Sequence, residues 1–152
     1  MTTIKPLLLA LLFLSLSIRV VGQLIGECPT SPERSPQDIQ ELRGVVVDAN
    51  LAVVPKVNVG LQTPHGQGFR DIASVETDAN GRFSFGVRDP GRYRLVFSGR
   101  AGVCPATIPV LYSKAGLRGI RLILPTAAAD TCPQYCESRL KVEEMTGREG
   151  HE

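Results

Sequence analysis

The sequence predicts an all-β fold, a seven-stranded antiparallel β-sandwich with flexible flanking segments, from three observations. Short segments between residues 42 and 124 alternate apolar and polar side chains with a period of two. Turn chemistry recurs between them, at Asp48-Ala49-Asn50, Asn80-Gly81 and Pro90-Gly91. No helical period interrupts the series. Two apolar faces of this kind pack as two sheets around one dry layer.

The elements follow in order. Residues 42–48 form the first strand, with Val45 and Val47 on one face and Val46 on the other. After the turn at Asp48 to Asn50, residues 56–61 align Val57, Val59 and Leu61. Residues 63–70 contain Pro64, Gly66 and Gly68 and read as a loop. Residues 72–77 and 82–87 read as two arms of a hairpin closed by Asn80-Gly81, because both turn residues tolerate the positive φ of a tight hairpin turn. Phe83, Phe85 and Val87 then share one face. Pro90-Gly91 reverses the chain before Tyr93, Leu95 and Phe97 point inward, leaving Arg92 and Arg94 outward. Tyr93 sits where its hydroxyl reaches across the sandwich corner, a stability role. Residues 108–112 and 117–124 complete the series, the latter aligning Ile120, Leu122 and Leu124.

The flanks carry the compartment. Lys5, an apolar run from Leu7 to Ile18 and small or modest residues at Val20 and Gly22 read as a signal peptide over residues 1–22. The run is shorter than the roughly 20 residues a membrane helix needs, so no membrane span is expected after cleavage. Glu27 before Cys28 excludes a lipid-anchor motif. Residues 23–41 are a Pro- and Ser-rich lead-in, 42–125 the sandwich, and 126–152 a Cys-containing segment with a short helix at 138–145 and a mobile end. A secreted or periplasmic, extracytoplasmic location follows.

In that setting Cys28, Cys104, Cys132 and Cys136 read as two disulfides. Four cysteines permit three connectivities. The preferred pattern joins Cys104 to Cys132 or Cys136 and leaves Cys28 for the other, tying the flanks to the body. The three residues between Cys132 and Cys136 do not match a redox centre, and no histidine lies close enough for a zinc ligand set.

At net charge +2 the chain hides an uneven distribution, with Arg82, Arg88, Arg92, Arg94, Arg100, Lys114, Arg118 and Arg121 opposed only by Asp89 between Gly81 and Arg121. A solvated outer face with blunted strand edges explains this pattern better than an anion-binding surface. Arg82, Arg92, Arg94 and Tyr112 are the residues a binding surface would use. Asn80, Gly81, Phe83, Phe85, Pro90, Gly91, Tyr93 and Leu95 define core and turns.

Gly44-Val45-Val46-Val47-Asp48, Val54-Pro55-Lys56-Val57-Asn58-Val59, the run from Thr77 to Phe85 and Pro90-Gly91-Arg92-Tyr93-Arg94-Leu95 follow one another in order. This series resembles the carboxypeptidase regulatory-like domain, a prealbumin-like or Ig-like sandwich, over residues 42–125. The likeness implies a folding and interaction module without chemistry of its own. It implies no reaction. The family's Gly-x-Pro-Val/Leu-Pro-Gly-Ala arrangement is replaced here by Asn50-Leu51-Ala52-Val53-Val54-Pro55-Lys56.

Catalysis finds no support in the residues. His65 and His151 are the only histidines, and neither pairs with a nucleophile. Asp71, Glu76, Asp78 and Asp89 fall in loops or at strand ends, away from any paired-acid cleft. Asp48-x-Asn50 and Asp78-x-Asn80 resemble the start of a calcium loop but lack the later acidic ligand. An isopeptide cross-link would use Lys56 and Asn58, but Val96 and Phe97 occupy the place of its acid. No enzyme, cofactor or metal is expected. The expected partner is another exported or envelope protein, not nucleic acid. A polysaccharide is the alternative, although the chain has no tryptophan and only Tyr112 and Tyr135 read as exposed rings.

Overall fold

The computed structural model describes residues 34–98, 102–126 and 133–145. The signal peptide expected over residues 1–22, Cys28, Arg100, Cys132 and the end of the tail lie outside the described residues. In chain order the elements are β1 (Gln37–Ile39), β2 (Arg43–Asp48), β3 (Asn58–His65), β4 (Gly68–Glu76), β5 (Arg82–Ser84), β6 (Gly91–Ser98), β7 (Ala106–Tyr112), β8 (Ile120–Leu124), α1 (Pro133–Arg139) and β9 (Lys141–Glu144). They form a five-stranded sheet, β1-β7-β6-β3-β4, and a four-stranded sheet, β5-β2-β8-β9.

The inward rows meet as their alternation requires. Val57, Val59 and Leu61, Leu95 and Phe97, and Ile108 and Val110 come from the first sheet and its lead-in. Val46, Phe83, Ile120, Leu122 and Leu124 come from the second, and all are buried. Phe83 packs edge-on against Phe97 across the layer, with ring centroids 5.5 Å apart. Each such side chain contributes about 1.5–3 kcal/mol through burial. Gly44 allows the tightest approach. A Cβ there would stand 2.3 Å from the Ile120 carbonyl oxygen and 2.8 Å from the Phe83 ring.

Several expectations are corrected. Nine strands are described where seven were expected, and two pairings, β1 with β7 and β2 with β8, are parallel. The strand expected at 56–61 begins at Asn58 and continues to His65, and the loop expected over 63–70 is the tip of a β3–β4 hairpin. Pro64 is tolerated there because β3 pairs with β6 only as far as Gln62.

The hairpin expected across Asn80-Gly81 does not form. Its arms enter different sheets, β4 beside β3 and β5 beside β2. Among the described residues only Gly81 of the two turn residues has positive φ, at 70°, so the two-residue hairpin turn, which needs both, is not made. Thr77 supplies the redirection. Its buried hydroxyl donates to the Val54 carbonyl and accepts from the Val57 amide, both at 2.9 Å, while the Gly81 carbonyl accepts from Val46 at 2.8 Å. The chain is thereby led from one sheet to the other. Val87, expected in a row with Phe83 and Phe85, is 91% exposed because β5 stops at Ser84 and Gly86 takes positive φ.

The flanks are more ordered than lead-in and tail suggested. β1 joins the edge of the first sheet, and β9 joins β8 in the second. The helix expected at 138–145 lies at Pro133–Arg139 instead, and β9 follows it because Leu140 and Val142 turn toward the core. Cys104 bridges Cys136, which selects one of the expected partners and pins α1 to the body. Arg34 pairs with Glu137 at 3.0 Å and donates to the backbone carbonyls of Glu137 and Leu140, binding the two flanks together.

Candidate functional site

Edge strands distinguish one side of the molecule. β1 and β5 are three residues long and β9 is four, whereas β4 runs nine residues with hydrogen bonding to β3 only. Short edges are the usual protection against unwanted strand pairing. β4 keeps Arg70 and Asp71 and a bulge opposite Leu61/Gln62 as its remaining guards. Phe69 and Ile72 are exposed along it, at 41% and 39%.

The outer face of the same sheet continues this surface. Gln62 lies in register with Asp71 on one side and Arg94 on the other, and donates from its amide to Asp71 at 2.9 Å. The Arg94 guanidinium lies over the Phe69 ring, 3.6 Å from its centroid, where cation and ring quadrupole attract. Beyond this row Gly60 forms the floor of a groove of about 550 Å³, walled by Asn58, Asp71, Ile72, Ser74 and Val96. Ser74 donates to the Asn58 side-chain carbonyl at 2.9 Å.

The residues singled out from sequence are not all brought together. Arg92 and Arg94 share the outer face of β6. Arg82 stands on β5 in the opposite sheet, and Tyr112 is half-buried two residues beyond inward-facing Val110, with its ring edge-on to Tyr93 at 6.4 Å. The four do not form one surface. The Tyr93 hydroxyl, expected to reach across the sandwich corner, donates instead to the Asp89 carbonyl in the turn just before β6, at 2.7 Å. Asn80, Gly81, Pro90 and Gly91 lie at the turns flanking β5 and β6, and Phe83, Phe85 and Leu95 are buried. Tyr135 is partly exposed beneath the Arg139 guanidinium.

Phe69 fell in the loop expected over 63–70, and Gly60, Asp71 and Ile72 were not grouped with it because Pro64, Gly66 and Gly68 masked the hairpin that brings the four to one surface. Their signal was the register of alternation from Asn58 onward, which continues through Thr63 once Pro64 is placed at a strand end.

The suspected calcium-loop starts are backbone turns. Asp48 Oδ1 accepts from the amides of Asn50 and Ala52 at 2.8 and 3.0 Å. Asp78 Oδ1 accepts from those of Asn80 and Arg82 at 2.9 and 2.8 Å. Among the described residues no group of three or more His, Cys, Asp or Glu side chains is placed to hold a metal. Lys56, the candidate for a cross-link, is exposed. Among the described residues no helix is long and apolar enough to cross a membrane.

Two packed sheets of five and four strands define an all-β, sandwich-like domain. Residues 41–115 match the family model of the carboxypeptidase regulatory-like domain. The match runs from the start of β2 to just past β7, so β1, β8, α1 and β9 lie outside it. Leu51 and Lys56, the non-glycine residues with positive φ among the described ones, fall in the segment where the family pattern carries its glycines. No curated protein matches the chain.

Proposed function

We propose that this is an exported, non-catalytic accessory protein that recognises another exported or envelope protein by strand addition at the β4 edge. Residues 1–22 serve as its signal peptide and 42–125 as the body of its sandwich, with flanks that add β1 and β9 to the sheets and act as the disulfide-bearing ties. The observation that carries the reading is the contrast between β4 and the three short edges. A nine-residue edge offers backbone donors and acceptors for affinity, and the exposed Phe69 and Ile72 supply side-chain selection. The match to an interaction-module family supports the same role.

A photo-crosslinking side chain placed at Ile72 in the full-length protein in its native host tests this. The expected result is a discrete envelope-protein adduct from Ile72 and none from Val87, which at 91% against 39% is the more exposed of the two but lies off β4. Equal adducts from both positions, or none from Ile72, would overturn the edge as the docking surface.

A further inference from the structure

We infer that the groove over Gly60, on the face of the five-stranded sheet, is a binding site for a neutral saccharide. This goes beyond the strand-addition reading and does not rest on it: the two share Ile72, but the groove would bind through side chains on the sheet face and strand addition through the outward backbone of β4.

Shape gives the first argument. Gly60 lies at a position where its neighbours on the outer face, Asn58 and Gln62, carry side chains, and its missing side chain deepens an open groove of about 550 Å³. That volume lies within the range of about 300–1,000 Å³ usual for small-molecule sites. The depression is not enforced by crowding. A Cβ at Gly60 would meet its nearest atoms, in Val96 and Asp71, at an ordinary 3.7–3.9 Å.

Chemistry gives the second. Two hydrogen bonds within the wall, Gln62 to Asp71 and Ser74 to Asn58, fix the orientation of the polar groups. They leave the Asn58 amide donors, the Gln62 carbonyl oxygen and the second Asp71 oxygen to meet a ligand. Planar amide and carboxylate groups held in this way match pairs of adjacent hydroxyls, each of which both donates and accepts. Ile72 and Val96 provide an apolar floor and wall for the C–H face of a ring.

Charge and backbone exclude the competitors. Asp71 is the one charged side chain lining the groove, so the lining offers an anionic ligand no cation. A single carboxylate already accepting from Gln62 is a poor cation site. β3 is hydrogen-bonded to β4 on one side and β6 on the other, so a peptide lying over it finds no backbone partners.

The test is an amide-resolved NMR titration of the mature protein with four neutral oligosaccharides, derived from α-glucan, β-glucan, mannan and xylan, and with a sulfated oligosaccharide. At least one neutral probe is expected to shift Asn58, Gly60, Gln62, Asp71 and Ser74 together. Gly60→Val, which fills the floor and suits a strand, is expected to weaken that binding at least about tenfold while leaving the spectrum of a folded protein. Asp71→Ala is expected to weaken it as well. The Ile72 crosslink should persist in Gly60→Val, which separates failure here from failure of the edge reading. Silence with all four neutral probes, shifts outside the groove, unchanged binding by Gly60→Val, or stronger binding of the sulfated probe would each overturn the assignment.

Discussion

The two Asp-headed turns, Asp48 to Ala52 and Asp78 to Arg82, share one hydrogen-bond scheme and differ in what surrounds it. In each, the carboxylate accepts two backbone amides, and residue i and residue i+4 close the loop backbone to backbone, at 2.8 Å in the first and 3.0 Å in the second. In each, the fourth residue takes positive φ, 64° at Leu51 and 70° at Gly81. Leu51 is 58% exposed and its side chain has somewhere to go. Gly81 is buried against β2, where a Cβ would stand 2.6 Å from the Val46 carbonyl oxygen. One geometry therefore carries two sequence requirements. Local chemistry specifies the turn, and packing decides whether glycine is obligatory.

Substitutions sharpen this contrast, beginning with the largest effect. Gly81→Ala should destabilise by about 2–4 kcal/mol in urea melts, combining left-handed strain with the Val46 clash. A cost no larger than a few tenths would mean that the second turn is as open as the first. Thr77→Val should cost about 2 kcal/mol, since it keeps the shape but strands the Val57 amide and the Val54 carbonyl. The residue ahead of the first turn, Val47, has no such side-chain bonds to lose.

Asp78→Ala should cost about 1–2 kcal/mol through the loss of two amide acceptors, and Asp48→Ala about 1 kcal/mol. Leu51→Gly is the reverse case. Relief of left-handed strain outweighs the added freedom of the unfolded chain, so thermal unfolding should register a gain of about 0.5–1 kcal/mol. A loss there would show that Leu51 contributes packing despite its exposure.

Most of the core was legible in the sequence because alternation leaves little choice. Val57, Val59 and Leu61, or Ile120, Leu122 and Leu124, can share a face only in extended chain. Long-range choices were less legible. Asn80-Gly81 favours reversal, but whether β5 returns to β4 or crosses to β2 depends on Thr77 and Val46, which meet it only in the folded molecule. The parallel pairings of β1 and β8 and the docking of β9 depend on contacts far apart in sequence. Candidate surface residues suffered most. Arg92 and Arg94 share a face by local period, whereas Arg82 was separated by sheet assignment and Tyr112, in the same sheet as the two arginines, by facing inward. Phe69 and Ile72 became visible only when the apparent loop proved to be a hairpin.

Hydrogen exchange resolved by residue on the free protein probes the open flank of β4 most directly. The outward-facing amides of Gly68–Glu76 should exchange within the fast local-opening regime, while those of β3, β6, β2 and β8 remain protected close to the global stability limit. Uniform slow exchange along both faces of β4, as in an interior strand, would mean that its outer flank is already occupied and would contradict its role as the docking edge.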